Sequence, residues 1–348
     1  MTYEKLLDEY TELINENLES YFEGILADVK DYDPFIYQVY KAIREYVLRP
    51  GKRLASCSTL LAYKGYTGVV DEDILNVCVG VEIYRHCILI HDDLVDKDNY
   101  RRGGKAFHRL FIEKRDNSFG EGLAVFTGNI LFALALQAIL NSRFDKDVID
   151  KVVELVVADF KDVNESQILD LLFEYKEPDF NEWQRMASKR AAVLFKTTIL
   201  TGAILGHAPQ EDIEILKEAS RNIGISFDIQ DDIIGTFATE EQYGRPVGGD
   251  IILGKKPLHM VYAWELADGK QLEEIREILG RKEPSEMEID RFKKIIKETG
   301  ALAKAKGKSR EHAEEASRLI EETEMRGETK AFFREFIEYI AGSLDWYK

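Results

Sequence analysis

Apolar residues recur along this chain at steps of three and four, the spacing that keeps side chains on one face of an α-helix. Runs with period two are few. The pattern predicts helices over residues 3–29, 34–48, 53–67, 72–96, 120–141, 146–175, 180–206, 210–235, 256–267, 271–280, 285–298, 300–325 and 328–344. Breaks fall at Arg49-Pro50-Gly51, Arg102-Gly103-Gly104, Lys176-Glu177-Pro178, Gly206-His207-Ala208-Pro209 and from Tyr243 to Gly254, where proline and glycine interrupt the period. Residues 270–348 are rich in Glu, Lys and Arg and read as solvent-facing helices with paired charges. The expectation is one all-α domain of long helices spanning residues 1–348.

Two apolar stripes end in carboxylates. The first runs Ile74, Val77, Val81, Tyr84, Ile88, Asp92, in steps of 3, 4, 3, 4 and 4. Asp92 therefore continues the buried face, Asp96 lies one turn further on, and Asp93 is near enough to join them. The second runs Leu216, Ser220, Ile223, Phe227, Asp231, followed by Asp232. An arbitrary acidic run is usually a solvated face. Carboxylates at core positions of two helices read differently, because clustered negative charge needs a cation to stay ionised. Oxygen ligands of this kind, with waters and phosphates, suit Mg²⁺.

The chain has 348 residues, 45% of them hydrophobic, and a formal net charge of −17. The charge argues against nonspecific nucleic-acid binding and against adsorption to anionic membranes. Three cysteines, Cys57, Cys78 and Cys87, form no CxxC pair, which fits a reducing, cytoplasmic setting. Gly122 to Leu140 lacks charge and approaches bilayer-spanning length. Thr127, Asn129 and Gln137 interrupt it, and it reads as a buried helix without stable membrane insertion. An anionic substrate would need local cations, and these occur: Arg101 and Arg102 after the first cluster, Lys52 and Arg53 at Gly51, and Arg245, Lys255 and Lys256 around the glycine-rich loop. Each alone is more often a surface charge. Together with the carboxylates they point to a multi-metal site for a diphosphate.

At these residues the chain resembles the trans-isoprenyl diphosphate synthases, or polyprenyl synthetases. Gly51-Lys52-Arg53 is similar to the family's GGKRxRP region, and His91 to Asp96 with Arg101-Arg102-Gly103 to its first aspartate-rich motif. Ser166 to Asp170 resembles the GQxxD helix, Phe227 to Asp232 the second motif, and Gly244 to Asp250 with Gly254-Lys255-Lys256 the GKxxGxD…GK loop. The resemblance implies a helical barrel around a deep apolar cavity, usually in a homodimer. It implies head-to-tail condensation of an allylic diphosphate with isopentenyl diphosphate. By similarity, Asp92, Asp96 and Asp231 ligate three Mg²⁺ ions bound with the allylic diphosphate, and Asp93 and Asp232 complete the two motifs. Arg101, Lys189, Arg245 and Lys255 hold that diphosphate; Lys52 and Arg102 hold isopentenyl diphosphate, with Arg53 nearby.

The chain also departs from the family pattern. Ala55 and Ser56 replace the second arginine and the proline of GGKRxRP, and Arg85 replaces the histidine six residues before His91, with His86 displaced by one and so about 100° around the helix. Arg85 is expected to take over both lost contacts with isopentenyl diphosphate. Near the second motif, Asp228 stands for a glutamine, Arg190 for a threonine and Gly235 for the third aspartate, and Asn129 stands for the aspartate of the central GD. Ile88 and Cys87, four and five positions before Asp92, are not aromatic; with Tyr84 as a later floor, the product expected is C20 or longer. Two alternatives stand beside active chain elongation: a terpene-synthase-like enzyme that ionises a prenyl diphosphate without isopentenyl diphosphate, and a non-catalytic partner subunit of a related synthase.

Overall fold

A computed structural model describes residues 3–112, 115–238 and 248–342. Among them are fifteen α-helices, one short 3₁₀ turn and a two-stranded hairpin. They fall into two compact units: Met1–Leu155 with Thr198–Ala208 and Met325–Thr329, and Val156–Thr197 with Pro209–Glu324 and Lys330–Lys348.

The first unit contains α1 (Tyr3–Val29), α2 (Pro34–Val47), α3 (Leu54–Thr67), α4 (Glu72–Val95) and α5 (Asn117–Leu140). Asp33, Asp71 and Asp116 start α2, α4 and α5 by accepting hydrogen bonds from first-turn amides, and Pro34 opens α2. Helix α4 is buried on nearly every side: Ile74, Val77, Val81 and Tyr84 on the expected stripe, and Val79, Ile83, Leu89 and Ile90 off it. It lies so close to α5 that a Cβ on Gly80 would stand 2.8 Å from the Ala135 carbonyl oxygen. Both helices are long and apolar enough to cross a membrane, but 72% of the α4 window is buried inside the protein and only 44% of the α5 window. The fully buried helix expected from Gly122 to Leu140 is thus half realised: one face packs on α4, while Val125, Phe126 and Leu140 are exposed.

Between α4 and α5 the expected loop contains a hairpin, β1 (Tyr100–Arg101) paired antiparallel with β2 (Gly104–Lys105). Its two turn residues, Arg102 and Gly103, both have positive φ (50° and 77°), the type I′ geometry that suits a two-residue connection.

The second unit is built on α9 (Gln210–Phe237), which follows α6 (Lys146–Phe173), α7 (Phe180–Ala187) and α8 (Ala191–Leu205). Five further helices are α10 (Gly249–Leu253), α11 (Leu258–Leu266), α12 (Gly269–Ile278), α13 (Glu286–Glu298) and α14 (Ala301–Glu322), and α15 (Gly327–Gly342) ends the described chain. Small residues Ala301, Ala305, Ala313 and Ala316 are buried on α14 and let it lie close along α9, where Ser226 and Ser309 share a hydrogen bond of 2.9 Å. Trp183, Met186, Ile225, Ile229, Val261 and Phe292 fill the core below. The single helix expected over 180–206 is divided. Lys189 and Arg190 make tightened bonds to Met186 and Ala187, three residues back, so the backbone turns without any proline or glycine. Helix α10 lies where a loop was expected.

Candidate active site

The apolar stripe of α4 stays buried to Tyr84 and opens at its last turn, leaving Asp92 and Asp96 partly exposed. Asp93 corrects the expectation that all three acids act together. Its carboxylate is fully buried, accepting a hydrogen bond from the Tyr46 hydroxyl at 2.7 Å and from Arg101 Nε at 2.5 Å. Burial pushes the Asp93 carboxyl up, and Arg101 and Tyr46 only partly offset this. The reason is tertiary: α2 and the hairpin bring these two partners to the face next to the stripe. Arg101 consequently has its guanidinium committed to Asp93, and the Nη2 that meets Asp93 is also 3.6 Å from Asp92 and 3.3 Å from Asp98.

The hairpin is anchored by Arg49, whose guanidinium donates to the carbonyls of Arg101 (3.0 Å) and Lys105 (2.8 Å). Gly104 gives it room; a Cβ there would come within 2.5 Å of Arg49 Cζ. Arg102 in turn lies over Gly51, where a Cβ would be 2.9 Å from its Cζ. Gly51 and Gly104 therefore make space for arginines.

Beneath Arg102 is a buried polar cluster that the sequence reading did not find. Arg102 Nη1 is 3.1 Å from His86 Nε2, and His86 Nδ1 is 2.8 Å from the Glu82 carbonyl oxygen. Arginine can only donate, so Nε2 accepts and Nδ1 carries the hydrogen. Burial, then Arg102, hold the imidazole neutral and bring it down to about 3. Arg53 is the correction here: expected near substrate, it is 1% exposed and donates to Glu82 (3.2 Å), Asn15 (2.8 Å) and the Arg49 carbonyl (3.1 Å). Ser56, standing where the family has proline, donates to the other Glu82 oxygen at 2.7 Å. Burial pushes Glu82 up, but Arg53, His86 and Arg102 outweigh it and bring the carboxyl down to about 2. Arg102 itself falls to about 10, chiefly through burial, with Arg53 and Arg85 also lowering it. Arg85 is thus an electrostatic neighbour of Arg102, and it and Lys52 are partly exposed. An acid and a histidine one turn apart inside an apolar helix were the available signal.

His91 approaches Gly128 so closely that a Cβ there would be 2.1 Å from Nε2. The glycine of the central Gly128-Asn129 pair is a seat for an imidazole. Cys87 and Tyr84 are buried, and α5 supplies an aromatic that sequence reasoning overlooked: Phe132, whose ring is 6.3 Å from that of Tyr84 and whose backbone adjoins Cys87.

In the second unit, the cation at the carboxylates is Arg190. Its Nε donates to both oxygens of Asp228 (2.7 and 2.9 Å), Nη2 to Asp232 (3.0 Å) and Nη1 to Asp170 (3.4 Å). Lys255 Nζ donates to the other Asp170 oxygen at 2.8 Å. Burial raises Asp170, but Lys255 and Arg190 bring it below the usual carboxylate range. Asp232 is pushed well up by burial and by Asp228, Asp250 and Asp231, against the pull of Arg190. Lys189, expected to hold the diphosphate, has its amine on Asp162 (2.8 Å) and Glu165 (2.6 Å) of α6, because the turn after α7 sends adjacent side chains to different carboxylates. Asp231 is half-buried on α9. Arg245 lies outside the described residues. Among those described, no three His, Cys, Asp or Glu side chains converge as a ready-made metal cage.

The sequence model of the polyprenyl synthetases matches residues 37–298. The geranylgeranyl diphosphate synthase of Methanosarcina mazei is 30% identical over 285 residues, 82% of this chain and 83% of that protein. The short chain isoprenyl diphosphate synthase of Methanocaldococcus jannaschii is 29% identical over 282 residues, 81% of this chain and 83% of that protein. The crystal structure of geranylgeranyl pyrophosphate synthase from Corynebacterium glutamicum, complexed with isoprenyl diphosphate and magnesium, has a TM-score of 0.90 at 20% identity, covering 97% of this chain and 99% of that one. That likeness bears on the fold. With the family match spanning three quarters of the sequence, the chain belongs to the polyprenyl synthetase family of prenyltransferases.

Proposed function

We propose that this chain condenses an allylic prenyl diphosphate with isopentenyl diphosphate, head to tail and in trans geometry, to a product of C20 or longer. The carrying observation is the hairpin after α4, which sets Arg101 beside Asp92 and Arg102 beside Arg85. One short element thus serves both a carboxylate group and a cationic pocket, as two diphosphates require. Geranylgeranyl synthases among the relatives support the product length.

The donor set fits Mg²⁺. Asp92 and Asp96 at the end of α4 offer hard oxygens, too few to fill an octahedral shell and so leaving places for phosphate oxygens and water, and Asp231 on α9 offers the same kind of donor. Bound metal would supply Lewis-acid stabilisation of the departing diphosphate. Three ions is the number the family resemblance implies. The protein's own residues do the remaining work. Lys52, Arg85 and Arg102 hold isopentenyl diphosphate, with His86 fixing the Arg102 fork from below. Arg101 and Lys255 add fixed positive charge for the allylic diphosphate. The apolar side chains of Tyr84, Cys87 and Phe132 keep water from the allylic cation.

A second copy of the chain covers the exposed face of α5, where Phe126 is 69% exposed. The homodimer explains that face without a bilayer, and three free, buried cysteines fit a cytoplasmic protein.

The test is purified protein with Mg²⁺ and farnesyl diphosphate, with and without labelled isopentenyl diphosphate. Label in a prenyl diphosphate of C20 or longer is expected. Release of hydrocarbon or alcohol without uptake of label would sink the proposal.

A further inference from the structure

Arg190 is only 18% exposed, yet three carboxylates meet it: Asp228 and Asp232, one turn apart on α9, and Asp170 on α6. Each oxygen involved lies within 3.4 Å of a guanidinium nitrogen. Carboxylates at this burial must be offset by positive charge, and an arginine supplies it permanently. Nε, Nη1 and Nη2 of the one guanidinium each take a different carboxylate, so its planar fork is fully engaged.

We propose that Arg190 is a resident cation that occupies the Asp170–Asp228–Asp232 group and keeps a divalent ion out of it. Metal in this unit is then recruited through Asp231, and the Asp228 carboxylate keeps its counter-charge when metal and diphosphate leave. The inference rests on the reading that the chain binds metal with diphosphate. It adds that one charge at the second aspartate group is built into the polypeptide, in place of an ion taken from solution. The exchange is reciprocal in sequence: Arg190 and Asp228 stand where the resemblance implies two neutral residues, and they bond to each other.

The experiment counts bound Mn²⁺ per chain by electron paramagnetic resonance, using full-length protein saturated with inorganic pyrophosphate. Arg190→Gln is expected to bind one more Mn²⁺ than wild type, because Asp228 and Asp232 are released as ligands. Arg190→Gln with Asp228→Asn is expected to return to the wild-type number. Asp228→Asn alone, which leaves Arg190 bonded to Asp232 and Asp170, is expected to match wild type and keeps the test open if Arg190→Gln does not fold. An Arg190→Gln count equal to wild type, or an Asp228→Asn count one lower, overturns the inference. Wild type that binds no Mn²⁺ with pyrophosphate overturns instead the metal–diphosphate reading beneath it.

Discussion

At the end of α4, Asp92 and Asp96 remain partly open, while Asp93 alone is buried and bonded to Tyr46 and Arg101. On α9 the buried Asp228 and the partly buried Asp232 both lie against Arg190. In the first group one acid is bonded within the protein and two stay partly open. The second carries its cation with it. Two motifs that look alike in sequence therefore differ in what they still need, and the difference comes from partners on other elements: a tyrosine and a hairpin arginine in one case, an arginine at a tightened turn in the other.

The strongest way to break this comparison is to remove one acid from each group. Asp92→Asn is expected to lower kcat for elongation by about 10²–10³-fold, the scale seen when one preorganised charge-stabilising group is lost. Asp228→Asn should cost less than about tenfold. Steady-state kinetics at saturating Mg²⁺ decide it, and equal losses would make the two groups equivalent.

Buried and exposed pairs give a second contrast. Arg53 and Glu82 are almost wholly enclosed, whereas Lys189 is 38% exposed beside Asp162. Glu82→Gln leaves a buried arginine without its counter-charge and should lower stability by about 3–5 kcal/mol in urea unfolding. Lys189→Met should cost less than about 1 kcal/mol. The pH dependence carries a sign. Glu82 has a folded pKa of about 2 against an ordinary 4.5, so its contribution is present above 4.5 and is lost as pH falls toward 2. His86 is held neutral down to about 3, so the unfolded chain takes its proton first and stability also falls from about pH 6.5 toward 3. Glu82→Gln should therefore flatten the stability curve below pH 4.5 and leave the slope above it. A wild-type steepness retained below pH 4.5 would contradict the assignment.

Much of this was legible in the sequence, and what was not has physical reasons. Three-four periodicity located the long helices, and the α4 stripe ended where the site begins. It did not identify the buried acid, because α4 is apolar on all sides and a moment with no direction cannot rank Asp92 against Asp93. The hairpin at Tyr100–Lys105 has two residues per strand, too few for any period. The turn at Ser188–Arg190 contains no glycine or proline, so nothing local announced that Lys189 and Arg190 would diverge. Ser56 and Arg190 stood in the sequence only as departures from the family pattern. Each became interpretable only with its partner, Glu82 or Asp228.

The polar cluster under the hairpin yields a finer test. Arg102 is fixed by His86, whereas Arg85 adjoins it as a like charge that helps lower its pKa to about 10. Two cations held together in this way favour a ligand with several negative charges. Arg85→Ala is expected to raise the KM for isopentenyl diphosphate by at least about tenfold, the value of one charge-assisted hydrogen bond, and the allylic KM by less than about threefold. Equal changes in both would reject the division of labour between the two carboxylate and cation groups.

The smallest expected effect concerns product length and separates the wall of the apolar region from its charged end. Sequence placed Cys87 as the small residue that lets the chain grow and Tyr84 as the floor. Phe132 of α5 changes that picture, because its backbone adjoins Cys87 and its ring meets Tyr84 at 6.3 Å with a 50° tilt. The floor is then a pair of rings from two helices, and Cys87 borders it. Cys87→Phe puts a third ring where the wall is already close-packed, and overpacking of this kind costs about 1–3 kcal/mol of stability. It should shift the main product to C15 with the allylic KM nearly unchanged, as read by chromatography of dephosphorylated products. Phe132→Ala should do the reverse and lengthen the product by one or more isoprene units. If Cys87→Phe shortens the product while Phe132→Ala leaves it unaltered, Tyr84 alone is the floor and α5 only backs it.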